Sequence, residues 1–371
     1  LGALEVVAAM QAGTEHEMTL QKGLGAGEDV ENLLLGGVHP ATVRQGREKT
    51  KSFFKTPHVH GWNVQSQRAE TGTRGRRAIA READLHILGG VLTTPIALED
   101  ELGDVLDKAL RHSGLTVDAV ARQAGLDAVK IHDAIDYRYD FADAELRRLA
   151  LVLGLNEIGL CALAHGRYPL PEIGALPFCV WPLRMPHGIG VANAYLVGEC
   201  GGSRGVLFDV GPSLAALTEV WPRAIRAVDA VFLTHVEGEH AGGLCEVVDR
   251  FDVSAAYVPT AAKAPCGQPL GEGGSETVGP CQVTVFSTPG HAAAHNCYLV
   301  SAPGARSGNS LLISGDLIFA GSAGGGYFCH RQLRTHLRRV LEAVPPGTIV
   351  APGHGPMTTA ENELRFNPFV T

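Results

Sequence analysis

Long apolar runs are missing from this chain. None approaches the ~18 uninterrupted residues that a membrane-spanning helix needs, so no such span is expected. A basic amino-terminal lead is missing too, and Glu5 interrupts the first apolar stretch, which argues against a signal peptide. Positive charge is not in excess: 31 Lys+Arg stand against 39 Asp+Glu, a net charge of −8. A generally polyanion-binding surface is thereby disfavoured, although a local basic patch is not. The eight cysteines contain no Cys-x-x-Cys pair, and none falls at the metal-ligand positions identified below. Buried or loose thiols in a reducing cytosol are the expectation. A cytoplasmic chain long enough for two or three domains and a sizeable core remains.

Histidine and carboxylate are concentrated instead. His235-Val236-Glu237-Gly238-Glu239-His240 crowds four candidate metal ligands into six residues. The preceding Ala230-Val231-Phe232-Leu233-Thr234 reads as a buried strand, and Ala241-Gly242-Gly243-Leu244 opens a helix. Ligands at a strand end are anchored by the sheet yet project into the loops that a substrate reaches. The pattern recurs three times. Ser287-Thr288-Pro289-Gly290-His291 follows the strand-like Gln282–Phe286, Leu311–Ile313 runs into Ser314-Gly315-Asp316, and Thr348–Ala351 runs into Pro352-Gly353-His354-Gly355. Each ligand type sits just past a β-rich run and beside glycine, where the backbone must bend sharply. Imidazoles and carboxylates together suit zinc, iron or manganese.

In this order, Thr-His-x-Glu-x-Glu-His, Thr-Pro-Gly-His, Gly-Asp and Gly-His-Gly resemble the motifs of the metallo-β-lactamase-fold hydrolases. The resemblance runs from about Phe178 to Thr371, a little over half of the chain. Asp209, in Val206-Leu207-Phe208-Asp209-Val210-Gly211, matches that family's early Asp-x-Gly, which supports the metal loop. The tail Glu363-Leu364-Arg365-Phe366-Asn367-Pro368-Phe369 is similar to the ending of short glyoxalase-II-like members. The resemblance implies an α/β fold, an αββα sandwich with metals at one edge. It also implies a pair of divalent ions. One would be held by His235, Glu237 and His291, the other by Glu239, His240 and His354, with Asp316 bridging. A water shared by two such cations becomes a hydroxide nucleophile near neutral pH. Glu239 is then both a ligand and a candidate base or orienter of that water.

The chain departs from the family pattern at two positions. Glu237 stands where the family has His, and Glu239 where it has Asp. The first exchange makes the site harder and more negative, shifting preference from zinc toward iron or manganese. Flavodiiron oxidoreductases are similar in having His-x-Glu-x-Asp-His, but no flavodoxin-like domain follows His354 here. The second exchange adds one methylene to a ligand and bears on how firmly the second ion is held. Zinc is the first expectation, with iron or manganese allowed by Glu237.

Upstream, the texture changes twice. Residues 1–90 mix Gly, Gln, Thr and charge without a sustained period, and are expected to be a low-order or mis-started leader, since the chain begins at Leu1 rather than Met. Arg44 to Arg81 is basic, and Arg74-Gly75-Arg76-Arg77 reads as a solvated run. Residues 91–168 read as an all-α domain. Leu98, Leu102, Val105, Leu106 and Ala109 recur at helical steps. A second helix starts after Thr116 as N-cap, Gly125 turns the chain into Asp127–Asp136, and helices follow over Asp143–Leu153 and Glu157–Ala164. The Leu-Thr-x-x-x-x-Ala-x-x-x-Gly-Leu spacing resembles a Cro/repressor-type helix-turn-helix, which implies DNA as a partner and a homodimer. Charge opposes the DNA reading: the candidate recognition helix carries Asp127, Asp133 and Asp136 against Lys130. Packing or dimerisation is the favoured role.

Residues 169–177, with Pro169, Pro171 and Gly174, read as a linker, and 178–371 as the metal domain. Within it, Val180–Leu183, Val191–Val197 and Gly205–Asp209 read as strands, and Leu214–Ala227 as a helix capped by Ser213 and broken near Pro222. Ala261–Gly279 is expected to be a mobile loop placed as a substrate lid, and Gly321–Gly326 a flexible stretch near the metals. His295, His330, His336 and Cys329 read as loop or helix-face residues, His295 being the strongest additional ligand candidate. Three functions follow: hydrolysis of a thioester or small acyl ester, a non-haem diiron oxidoreductase suggested by Glu237, and a DNA-binding regulator whose metal domain is the sensor.

Overall fold

The structure is a computed structural model that describes residues 96–304 and 309–371. The expected leader over 1–90 and its basic run lie outside the described residues. Five helices come first: α1 (Leu102–Ser113), α2 (Val117–Ala124), α3 (Ala128–Ile135), α4 (Asp143–Leu153) and α5 (Glu157–Ala164). Their ends obey local chemistry. Thr116 accepts a hydrogen bond from Ala119 N at the start of α2, and Asp127 and Asn156 cap α3 and α5 in the same way. Gly114, Gly125 and Gly154 close α1, α2 and α4 in the left-handed conformation that glycine adopts without strain.

Two six-stranded sheets follow. The first, in spatial order, comprises β1 (Cys179–His187), β2 (Gly190–Gly198), β3 (Arg204–Phe208), β4 (Ala227–Phe232), β5 (Ala256–Pro259) and β6 (Gln268–Leu270). The second runs β12 (Thr358–Thr359), β11 (Ile349–Pro352), β10 (Leu311–Gly315), β9 (Asn296–Ser301), β8 (Cys281–Ser287) and β7 (Ser275–Val278). Helices α6 (Leu214–Glu219), α7 (Gly238–Ala241) and α8 (Leu244–Phe251) accompany the first sheet, and α9 (His330–Ala343) and α10 (Ala360–Phe366) the second.

Three apolar layers hold these elements together. Val206, Phe208 and Phe232 of the first sheet meet Val283, Tyr298 and Leu311 of the second in a core between the sheets. The outer face of the first sheet, through Leu207 and Val231, packs on Leu217 of α6 and Leu244 and Val247 of α8. The outer face of the second, through Cys297, Leu312 and Val350, packs on Leu333, Leu337 and Leu341 of α9. Alternation along each strand thus buries both faces of both sheets, producing an αββα sandwich. The helical segment joins the third layer: Leu106, Leu146, Leu149 and Leu160 belong to the same buried cluster as α9.

Several sequence expectations change. The helix after Ser213 ends at Glu219, not Ala227, because Pro222 lacks the N–H that would continue it and Ala227 already begins β4. Ala261–Gly279 is not a free lid: β6 and β7 lie inside it, and Gly273 N donates to Val285 O at 3.0 Å. Gly321–Gly326 is buried rather than loose. Its glycines are needed for space, since a Cβ on Gly324 would lie 2.0 Å from Asp316 O. The cysteines are not all loose thiols either. Cys179 and Cys200 form a disulfide, because the β1–β2 hairpin sets Cys179 opposite Gly198 and brings Cys200 alongside. Their Cα atoms lie 5.0 Å apart, within disulfide range. Among the described residues no helix is long and apolar enough to cross a membrane.

Candidate metal centre

Four strand ends converge at one edge of the sandwich. The segment after β4 carries His235, Glu237, Glu239 and His240, the last two on the short α7. His291 follows β8, Asp316 follows β10 and His354 follows β11. Strands β8, β10 and β11 run in one direction, since β10 is parallel to β11 and antiparallel to β9, which is antiparallel to β8. Their carboxyl ends therefore open on the same edge, and the sheets fix the spacing of residues far apart in sequence.

The geometry brings every sequence-identified residue of this set together. His235, Glu237 and His291 offer donor atoms within 4.8 Å of one another, as do His235, His240 and Asp316, and as do Glu239, His240 and His354. Asp316 sits at the centre. Its Oδ1 lies 3.4 Å from His240 Nε2, and its Oδ2 lies 3.4 Å from His354 Nε2 and 3.7 Å from His291 Nε2. Glu237 Oε1 is 3.1 Å from His291 Nε2.

The Nδ1 side of three of the imidazoles is hydrogen-bonded, and that of the fourth, His240, faces a carboxylate. His291 Nδ1 donates to Gly325 O at 2.9 Å, and His354 Nδ1 donates to Val191 O at 3.0 Å. Thr234 Oγ1 donates to Asp209 Oδ2 at 2.9 Å, so it accepts from His235 Nδ1, also at 2.9 Å. His240 Nδ1 lies 3.2 Å from Asp209 Oδ2. Tying Nδ1 fixes the tautomer and leaves Nε2 as the lone-pair donor facing the cluster. The buried His235 Nε2, His291 Nε2 and Asp316 Oδ1 have no hydrogen-bond partner of their own. Buried polar atoms without partners are costly, and a donor set of imidazole nitrogens and carboxylate oxygens around such a gap fits a pair of divalent cations.

Electrostatics of the bare residues point the same way. Burial would raise the Asp316 carboxyl, but His240 and His354 outweigh it and hold the group well below the usual carboxylate range. Burial would lower His240, but Asp316 and Asp209 raise it well above its ordinary value. His235, buried beside His240, is pushed well below its ordinary value. One negative centre thus organises several imidazoles whose protons a cation would displace.

Asp209 adopts φ 57° just past β3 and uses both oxygens on the loop, accepting from Thr234 N at 2.8 Å and from Thr234 Oγ1. His295 is buried against His235, with ring centroids 5.2 Å apart, but its Nδ1 is bonded to Thr288 Oγ1. It belongs to none of the ligand groups among the described residues. His330 and His336 lie on α9, and Cys329 is its N-cap. The sequence reading missed Asn193, whose Nδ2 donates to Pro352 O and Gly355 O and so holds the His354 turn. A lone Asn inside the apolar β2 was the available signal. It also missed His187, 3.8 Å from Glu239, and Tyr327, whose ring centroid is 5.3 Å from that of His291.

Residues 187–354 match the metallo-beta-lactamase superfamily, and this part of the chain is a domain of that superfamily. A probable metallo-hydrolase of Bacillus subtilis, YqgX, is 27% identical over 216 residues, covering 50% of this chain and 96% of the relative. A hydroxyacylglutathione hydrolase of Edwardsiella ictaluri is 30% identical over 159 residues, covering 42% of this chain and 56% of the relative. The chain therefore spans little more than half the length of that enzyme. Among solved structures, TTHA1623 in a di-iron-bound form is similar at 30% identity and a TM-score of 0.38, over 51% of this chain and 99% of that one.

Proposed function

We propose that this protein is a metal-dependent hydrolase acting on a thioester or other small acyl ester. The observation that carries the reading is the convergence of His235, Glu237, Glu239, His240, His291 and His354 around Asp316, with the buried Nε2 atoms of His235 and His291 left without a hydrogen-bond partner. His235, Glu237 and His291 would hold one cation, Glu239, His240 and His354 the other, and Asp316 both. Two cations so held lower the pKa of a shared water and polarise the electrophile's oxygen. The chain's own contribution is positional. Asp209 keeps His240 and the Thr234 backbone in register, and Gly325 O and Val191 O orient His291 and His354. Glu239, half-buried at the edge, is placed to accept a proton or orient a water. Similarity to the hydroxyacylglutathione hydrolase supports the thioester class.

Glu237 supports a second reading, a non-haem diiron oxidoreductase. An anionic oxygen beside His235 and His291 hardens one site and favours iron or manganese over zinc. One experiment separates the two: metal content by mass spectrometry of protein purified without added metal, for wild type and His240→Ala, followed by thioester assays. About two zinc or manganese per chain, lost in the variant together with thioesterase activity, is the expected result. About two iron with no esterase activity transfers the conclusion to the oxidoreductase. Absence of metal in wild type, even after reconstitution, overturns both.

A further inference from the structure

Glu99 lies far upstream of the matched superfamily segment, yet its carboxylate reaches the metal-centre edge. Its Oε1 is 3.9 Å from His354 Nδ1. That side of the imidazole is turned away from Asp316, and Nδ1 already donates to Val191 O. Close backbone packing fixes this placement. A Cβ on Gly355 would meet Glu99 N at 3.1 Å and Glu99 Cβ at 3.3 Å, so Glu99 rests directly on the turn that presents His354. A Cβ on Gly190, in the strand opposite, would lie 3.9 Å from Glu99 Oε1.

The neighbouring residue locks the arrangement. Asp100 is buried, pairs with Lys108 of α1 and accepts from Ser322 Oγ. Lys108 Nζ also donates to Ala323 O at 2.8 Å. Ser322 and Ala323 belong to the glycine-rich segment that leaves Asp316. The start of the helical segment is thus bolted to the loop beyond one candidate ligand, and the preceding residue, Glu99, stands behind another.

We propose that Glu99 is a positioning residue of the metal centre, supplied by the helical segment to place negative charge behind His354. A carboxylate on the far side of a metal-bound imidazole stabilises the positive charge that the cation draws onto the ring, and so strengthens the donor nitrogen. Burial raises the Glu99 pKa, and the cations beside it oppose that rise. Asp100 and Asp316 are the other anions near Glu99, and Lys108 and His354 the cations. The assignment rests on the proposed metal site and gives the helical segment a part in it.

The test is a competitive chelator titration of metal-free full-length protein with Co(II) and Zn(II), for wild type, Glu99→Gln and Glu99→Asp. Glu99→Gln, isosteric and partly exposed, is expected to weaken binding of one of the two cations by about 2- to 5-fold, the scale of a solvent-screened ion pair. It is also expected to alter the Co(II) absorption spectrum, with metal-free melting temperature and circular dichroism unchanged. Glu99→Asp should fall between Glu99→Gln and wild type. Two bound cations in wild type with identical affinities and spectra in Glu99→Gln would overturn the role of Glu99 alone. No bound cation in wild type would overturn the metal site and this role together.

Discussion

Gly353 separates the end of β11 from His354, and the space around it is set by the metal cluster. A Cβ there would lie 2.1 Å from Asp316 Oδ1 and 3.0 Å from His240 Cε1. Its backbone is outside the left-handed region, so substitution tests space and not strain. Gly353→Ala is expected to displace the Asp316 carboxylate and lower metal occupancy at least about tenfold, by analogy with the loss of a ligand-orienting partner. Gly347→Ala, with nothing within 4 Å of the new Cβ, is the control that should leave occupancy unchanged. Metal content by mass spectrometry decides it, and equal occupancy in the two variants would show that Asp316 is not confined as described. At this scale the sequence was informative about which residues gather and silent about what orients them. His235, Glu237, Glu239 and His240 are contiguous enough to announce themselves. The carbonyls of Gly325 and Val191 carry no side-chain signature, and the turn that brings Glu99 onto Gly355 depends on packing that no local period encodes.

Elements were legible where hydrophobic runs ended in glycine. Strands β4, β8, β10 and β11 overlap the expected runs, although β4 starts at Ala227 rather than Ala230, because each is a short β-branched or apolar stretch with a ligand just beyond it. Strands β6 and β7 were not legible: three and four residues long, they sit among Gly and Pro at opposite sheet edges, where pairing replaces propensity. The five upstream helices were visible through apolar spacing and, at Thr116, Gly125 and Gly154, through their ends. Their docking was not, and it depends on close approach. Gly159 in α5 faces the end of α10 so closely that a Cβ would lie 2.2 Å from Phe366 O and 3.0 Å from Pro368 N. Overpacking of this kind typically costs about 1–3 kcal/mol. Gly159→Ala is accordingly expected to lower the melting temperature by several degrees, although alanine is the better helix former. A melting temperature equal to or above wild type would mean that α5 does not press on the carboxyl-terminal tail.

At the scale of the whole molecule, the helical segment and the metal domain share one buried cluster, and this bears on what the segment does. The lysine of α3, Lys130, is paired with Glu145 at 3.0 Å and lies over the Tyr139 ring. It is therefore engaged within the segment. The seam carries instead a titratable contact: His112 of α1 stacks on His330 of α9, ring centroids 3.9 Å apart and planes within 6°. Arg111, Lys108 and Asp107 act on His112, and Arg334 acts on His330, with Phe369 packed against its ring. Burial and then Arg111 lower the His112 pKa, while burial and then His112 push His330 down to about 4. Both histidines are easier to protonate in the unfolded chain, so acid favours unfolding. Their contribution is intact above the ordinary histidine value of about 6.5. It is lost progressively as pH falls from there toward the depressed His330 value of about 4. His330→Phe keeps an aromatic surface on His112 and removes one titrating group. Its melting temperature is expected to fall less than that of wild type between pH 7 and pH 4, with both proteins measured free of metal. Parallel curves for the two proteins would place the acid sensitivity elsewhere and deny the seam a role in it.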